Sequence, residues 1–453
     1  NGQNIILMIT DATSSINLTT PFSVSATSGS TYVVGNMIGG DFYNNTSVTL
    51  GSNGSLINGV GTATLFDTSS NINSVGTNVS GMVISGLYTD NPFPHSISGT
   101  AVNEEGTNLG LITLGNSSAG MYLKGGARAR NEGTISVGNS SVGIYAEGNG
   151  AYIVNNNGLI NVGEESTGLF LKDGNSISNM GISEIKSTSK KSVGIYSENS
   201  VLGTALITND NKIDLSGDQS IGIYTTGENN ITNNGMIKIG NSLSTTNPGL
   251  GIYADHLNSN INNTSTGTIN VGDNSIGIYN LNGNVINSGT ITTGNEGTGI
   301  YSDGGTITLN AGSSITIGQN NAVGVYAVNQ TGVVINNSSI SVGDSSLGFV
   351  FSGGTTPTFT NNQSATIGNG SIFTFSDSVL TATNSGTITM TGSDNIGYFL
   401  KNGGSFVNNA DIIGNTGVSN IGVYAKRAAI TNNADIILGD SNDSINLYKK
   451  IGR

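Results

Sequence analysis

The sequence has no cysteine and no tryptophan. Without cysteine there is no disulfide framework and no thiolate metal site. A chain of this kind can also cross an oxidising compartment unfolded without closing an early bridge. Positive charge is scarce: 15 Lys and Arg stand against 28 Asp and Glu, giving a formal net charge of −13. No Lys or Arg occurs before Lys124 or between Lys238 and Lys401, and the close group Lys186, Lys190 and Lys191 reads as a solvated face. This balance argues against a nucleic-acid partner, because phosphate binding relies on a basic patch. The longest apolar run, residues 5–9, is far too short to span a bilayer.

Enzyme signatures are missing too. The two histidines, His95 and His256, offer no metal cluster. No nucleophile elbow, phosphate loop or calcium-binding nonapeptide stands in a suitable context, so no cofactor is expected. No signal peptide is visible, and a chain that begins at Asn1 is expected to be a segment of something longer.

What is abundant is glycine, 68 residues of it, together with Asn, Ser, Thr, Ile and Val. Charged residues make up only 9%, which does not fit the usual disordered profile. The chain is polar yet strand-forming. One phrase, G-[IV]-Y or a close relative, recurs at Gly120, Gly143, Gly168, Gly194, Gly222, Gly251, Gly277, Gly299, Gly324, Gly348, Gly397 and Gly422. Degenerate copies fall at Phe373 and Asn446, and Tyr43, Phe66 and Tyr88 extend the spacing upstream less clearly.

Each repeat holds three pieces with period-2 alternation, the mark of strands with one buried face. The first is x-G-[IV]-Y-A, with Val142, Ile144 and Ala146 read as inward. The second is [IV]-x-N, as at Ile231 to Asn233, and the third is G-x-I-x-V-G, as at Gly133 to Gly138. Three short strands per coil of about 25 residues predict an all-β fold: a single right-handed parallel β-helix with three sides. A coil cannot bury its inner face alone, so it must stack on its neighbours. Coils rising about 4.8 Å each would make a rod on the order of 85 Å long. Residues 1–110 form a less regular N-terminal part and 111–453 the regular coils.

Turn chemistry fills the joints. Gly138, Gly163, Gly240 and Gly272 follow the third strand, where a residue tolerating positive φ is expected. Next come Asn139, Glu164, Asn241 and Asp273, and an Asx side chain there is expected to bond its own backbone. Asn156, Asn209, Asn233, Asn287, Asn336, Asn384, Asn408 and Asn432 share an inward parity and predict a ladder of stacked amides.

Three features are candidates for a site. The residue two after the anchor is Tyr or Phe in nearly every copy, with Val350 the exception, and its parity points outward. A stripe of rings about 5 Å apart can shield the sheet or offer a binding platform; Tyr145, Tyr196, Tyr224 and Tyr253 represent it. An over-long interval holds DNPFPHSISGTAVNEEG at 90–106, read as an inserted loop with Asn91, Phe93, His95, Glu104 and Glu105 as candidate binding residues. A smaller break, SLSTTNPGLG, lies at 242–251. Asp411 and Asp435 occupy equivalent places in N-N-A-D-I-I and should stack, at a separation that suits retaining glycosidases. A solvated turn pair accounts for them better, because the preceding coils place only Ser339, Ser364 and Thr387 at that point, and a β-helical polysaccharide lyase or hydrolase stands as the alternative to a non-enzymatic function.

The repeated V-G-I-Y-A…N-x-G-x-I-x-V-G phrase resembles the passenger regions of type Va autotransporter adhesins, and among them the very large fusobacterial outer-membrane adhesins. The resemblance covers about residues 110–453 well and the first hundred loosely. It implies a secreted, non-enzymatic passenger on the surface of a Gram-negative bacterium, attached to the membrane only through a C-terminal barrel outside this segment. It further implies a protein or glycan receptor on host cells or other bacteria. The chain is expected to be a monomer, either carrying the binding site itself or serving as the stalk beneath it.

Overall fold

The computed structural model describes residues 4–10, 15–25, 30–38, 41–60, 63–66, 71–74, 76–85, 105–200, 203–330 and 332–439. Among them every regular element is a β-strand. Contacts group the chain into two units, Asn1–Gly217 with Gly222–Asn229, and Asp218–Ile221 with Asn230–Arg453.

Each unit is a three-sided parallel β-helix. In the first, Ala119–Lys124 pairs in parallel with Val142–Glu147, which pairs with Thr167–Lys172 and then Val193–Glu198. This is the first sheet. The second sheet stacks Arg128–Asn131, Tyr152–Asn156, Ser176–Met180 and Ala205–Asn209. The third stacks Thr134–Val137, Leu159–Val162, Glu184–Ser187 and Lys212–Leu215. Ladder partners lie 22 to 32 residues apart in sequence, except for the pairs on either side of 86–104, which lie 39 to 42 apart. The second unit repeats the plan, for instance through Ile276–Leu281, Asn284–Asn287 and Thr290–Thr293.

The interior is built of columns of like residues. Ile135, Ile160, Ile185 and Ile213 stack in the third sheet of the first unit, each fully buried. Burying one such side chain contributes about 1.5–3 kcal/mol. In the second unit the aliphatic filling gives way to rings. Phe349, Phe351, Phe359, Phe373, Tyr398 and Phe406 pack with centroids 4.3–5.6 Å apart. The buried Tyr398 hydroxyl donates to Asn384 Oδ1 at 3.1 Å, and burial pushes its phenol well above the ordinary value.

The amide ladder is present: Asn209, Asn233, Asn287, Asn336, Asn384, Asn408 and Asn432 stand in it as expected, and only Asn156 is one residue out of place. Asn108, Asn131, Asn155, Asn179 and Asn209 are fully buried, each Nδ2 donating to the next Oδ1 at 2.8 Å. Asn155, not Asn156, occupies the column, because inward parity in Tyr152–Asn156 passes through Ile153; Asn156 points out and donates to Glu132. The second amide hydrogen caps the local turn, as from Asn131 to the Gly133 carbonyl at 3.2 Å. In the second unit the ladder runs Asn233, Asn263, Asn287, is interrupted by Leu309, and resumes from Asn336 to Asn432. A second polar column goes unnoticed in the sequence: the amide N–H of Ser118 donates to Ser141 Oγ and that of Ser141 to Ser166 Oγ, both at 3.0 Å.

Three expectations about glycine and turns are corrected. Val142 is half-buried and not in the core, because the strand changes parity at Gly143, leaving Gly143 and Ile144 both buried. The anchor glycine is there for closeness and not for turning. A Cβ at Gly143 would lie 2.6 Å from the Gly168 carbonyl oxygen, and one at Gly168 would lie 2.6 Å from that of Gly194. Positive φ falls not on Gly138, Gly163 or Gly272 but two residues later, at Ser140 (52°), Glu165 (53°) and Asn274 (54°). The Asx side chains at these corners bond the next coil and not their own: Asn139 Oδ1 accepts the N–H of Glu164 at 3.0 Å, and Asn241 Oδ1 that of Asp273 at 2.9 Å.

Candidate functional site

With the interior occupied by self-complementary columns, binding chemistry belongs on the outside. On the first sheet, Tyr122, Tyr145, Phe170, Tyr196 and Tyr224 stand half-buried in one outward row, centroids 4.4–5.0 Å apart, alternately stacked and edge-to-face. The second unit has a row from Tyr253 through Tyr279 and Tyr301 to Tyr326 at 4.6–5.6 Å. After Val350 a third run follows, Phe375, Phe399 and Tyr424. Each interior ring of a run has neighbours on both sides, so what meets solvent is largely ring edges and phenolic oxygens.

The row does not extend upstream. The equivalent positions there are Asn36, Asn58 and Val83, in register with Tyr122, and Asn58 Nδ2 bonds Asn36 Oδ1 at 2.9 Å. Tyr43 and Phe66 lie in second-sheet strands, Asp41–Asn44 and Ala63–Phe66. The alternation there mimics the repeat without its glycine. Tyr88 and Asn446 lie outside the described residues.

A charged column flanks the rings in the first unit and was not singled out from the sequence. It reads Lys124, Glu147, Lys172, Glu198, two residues beyond each ring. Lys124 Nζ is 3.7 Å from Glu147 and 5.0 Å from the Tyr122 centroid, and Lys172 is 3.2 Å from Glu198. Tyr145 donates its hydroxyl to Glu147; burial first, then this carboxylate, raises the phenol's pKa. Burial and the neighbouring Tyr279 and Asp303 push Tyr301 up to about 12. These groups remain neutral phenols at physiological pH.

No family model matches the chain, and neither a curated protein nor a solved structure does.

Of the expected loop, Asn91, Phe93, His95 and Glu104 lie outside the described residues. Glu105 and Gly106 are not loop: they open the strand Glu105–Asn108, paired with Arg128–Asn131, and Gly106 is buried. The 242–249 segment projects Leu243, 88% exposed, while Ser242 Oγ accepts the Gly249 N–H at 2.6 Å and closes the loop's base. Asp411 and Asp435 do stack. The Asp411 carboxylate accepts the backbone N–H of Asp435 at 3.1 Å, the same corner chemistry that Asn139 performs. No group of three or more His, Cys, Asp or Glu placed to hold a metal occurs among the described residues.

Proposed function

We propose that this chain is part of the passenger of a large type Va autotransporter adhesin of the fusobacterial kind. In this reading it stands on the surface of a Gram-negative bacterium, joined to a C-terminal outer-membrane barrel. It mediates or presents binding to a glycan or protein receptor on host cells or other bacteria. One observation carries the reading: the three-strand coil repeats in register along each unit while the outer faces of the second and third sheets vary in residue type from coil to coil. Such a chain can grow by adding coils without redesign, and its recognition chemistry can change on the outside without disturbing what holds it up. Beads coated with the protein should adhere to epithelial cells or to partner bacteria above uncoated beads. Failure to adhere to any such surface would reject the adhesive role and leave a spacer.

The stacked carboxylates keep a second reading, a polysaccharide-cleaving enzyme, open to test. A glycan-cleaving activity that Asp411→Asn abolishes would replace the adhesin reading.

A further inference from the structure

The outer face of the third sheet in the second unit differs from every other surface described. Thr316, Ser341, Thr366 and Thr389 form one outward column in direct register, while Ile315, Ile340, Ala365 and Ile388 between the columns point inward. Ser339, Ser364 and Thr387 border it, and the two columns line a groove of about 400 Å³.

The hydroxyls of its main column are unspent, whereas Ser314 in the bordering column donates to Thr290 Oγ1 at 3.4 Å. No side-chain hydrogen bond engages Thr316, Ser341, Thr366 or Thr389. The outward amides of the second sheet in the same unit do the opposite and bond one another. Asn260 donates to Asn230 at 2.9 Å, Asn284 to Asn260 at 3.2 Å, and Thr306 to Asn284 at 2.7 Å. Nor does the fold demand hydroxyls at this face. In the first unit the same positions hold Glu184, Lys186, Lys212 and Asp214, with Lys212 2.7 Å from Glu184, and Lys238 stands higher in the same column of the second unit.

Charge is excluded along the groove. No cation occurs between Lys238 and Lys401, and the coil after Thr387 places Asp411 in line with it. An anionic ligand would therefore meet no counter-charge and would meet a carboxylate at the end. A hydroxyl both donates and accepts, and threonine adds a methyl. A partner that is itself a repeating array of hydroxyls and C–H faces matches this surface.

We propose that this groove binds a strand of uncharged polysaccharide, laid across successive coils with sugar hydroxyls paired to the Ser/Thr columns. The proposal rests on the adhesin reading and locates one glycan-recognising face within it. Because each coil offers the same group about 4.8 Å further on, recognition is of a polymer, and affinity rises with the number of sugars.

Calorimetry with cellohexaose, maltohexaose, chitohexaose and their disaccharides, with hexagalacturonate as the charged counterpart, tests it. A neutral hexasaccharide should bind more tightly than its disaccharide, and the pair Ser341→Lys with Thr366→Lys should weaken it by about tenfold or more. Lys238 shows that the column accepts lysine, and the isosteric pair Thr316→Val with Thr366→Val gives a second variant should the first misfold. Unchanged affinity in the folded variants, binding of hexagalacturonate alone, or no binding of any neutral hexasaccharide would overturn the proposal. Bead adhesion separates the two readings. Equal adhesion by wild type and variants rejects this face but keeps the adhesin, whereas loss of adhesion in wild type rejects the adhesin whatever the calorimetry gives.

Discussion

Asparagine 155 and asparagine 156 are chemically identical neighbours with opposite roles. Asn155 accepts from Asn131 and donates to Asn179 and to the Gly158 carbonyl, all in the interior. Asn155→Ala should cost about 2–4 kcal/mol, since each orphaned buried group costs about 1–3 kcal/mol. Asn156→Ala should stay within about 0.5 kcal/mol. Urea melts of the two variants check the contrast. The anchor glycines give a second test. Gly168→Ala would force its methyl against the Gly194 carbonyl, and overpacking of this kind costs about 1–3 kcal/mol. In Gly312→Ala nothing lies within 4 Å of the new methyl, leaving only the cost of positive φ, about 1–2 kcal/mol.

At the scale of the strand, the ring row makes stability depend on alkaline pH. Tyr301 has a folded pKa of about 12, above the ordinary phenol value near 10. A group whose folded pKa is raised contributes fully below its unfolded pKa and loses that contribution as pH climbs to the folded one. Stability should therefore hold below about pH 10 and fall between about pH 10 and 12. Phenolate absorbance should appear late, and Tyr301→Phe should flatten part of the fall in the same titration.

Strands were legible because glycine, tyrosine and isoleucine recur at fixed offsets. Parity inside a strand was less so. Strict alternation carried through the glycine places Val142 inward, whereas the chain crowds against the next coil at Gly143 and changes face. The corner glycines misled for the same reason: a glycine that avoids a collision looks in sequence like one that turns. The outward placement of the rings followed from parity, and their spacing from the rise between coils. The charged flank and the hydroxyl columns did not, since an outward position accepts almost any polar residue and only adjacency between coils gives it meaning.

At the scale of the molecule, ladder register makes the coil the unit of change. Removing residues 276–297 joins Ser275 to Thr298, the ladder partner of Ile276, and leaves every column in phase. That deletion should fold with a melting temperature within about 2 °C of the parent, since at about 2.1 cal/mol/K per residue a kcal/mol shifts a chain of this size by only about 1 °C. Removing 276–286 breaks all three columns and should yield aggregated protein. Circular dichroism and gel filtration distinguish the outcomes.

The loop that displays Leu243 invites a protease, and its position decides what a cut would accomplish. Upstream of it, Asn229–Asn233 and Met236–Ile239 remain zipped along their length to Asn260–Asn263 and Thr268–Val271. A scission there severs one covalent bond and none of the cross-coil ones, so the pieces should migrate together on a native gel and part only in detergent. A chain made this way can be nicked without coming apart.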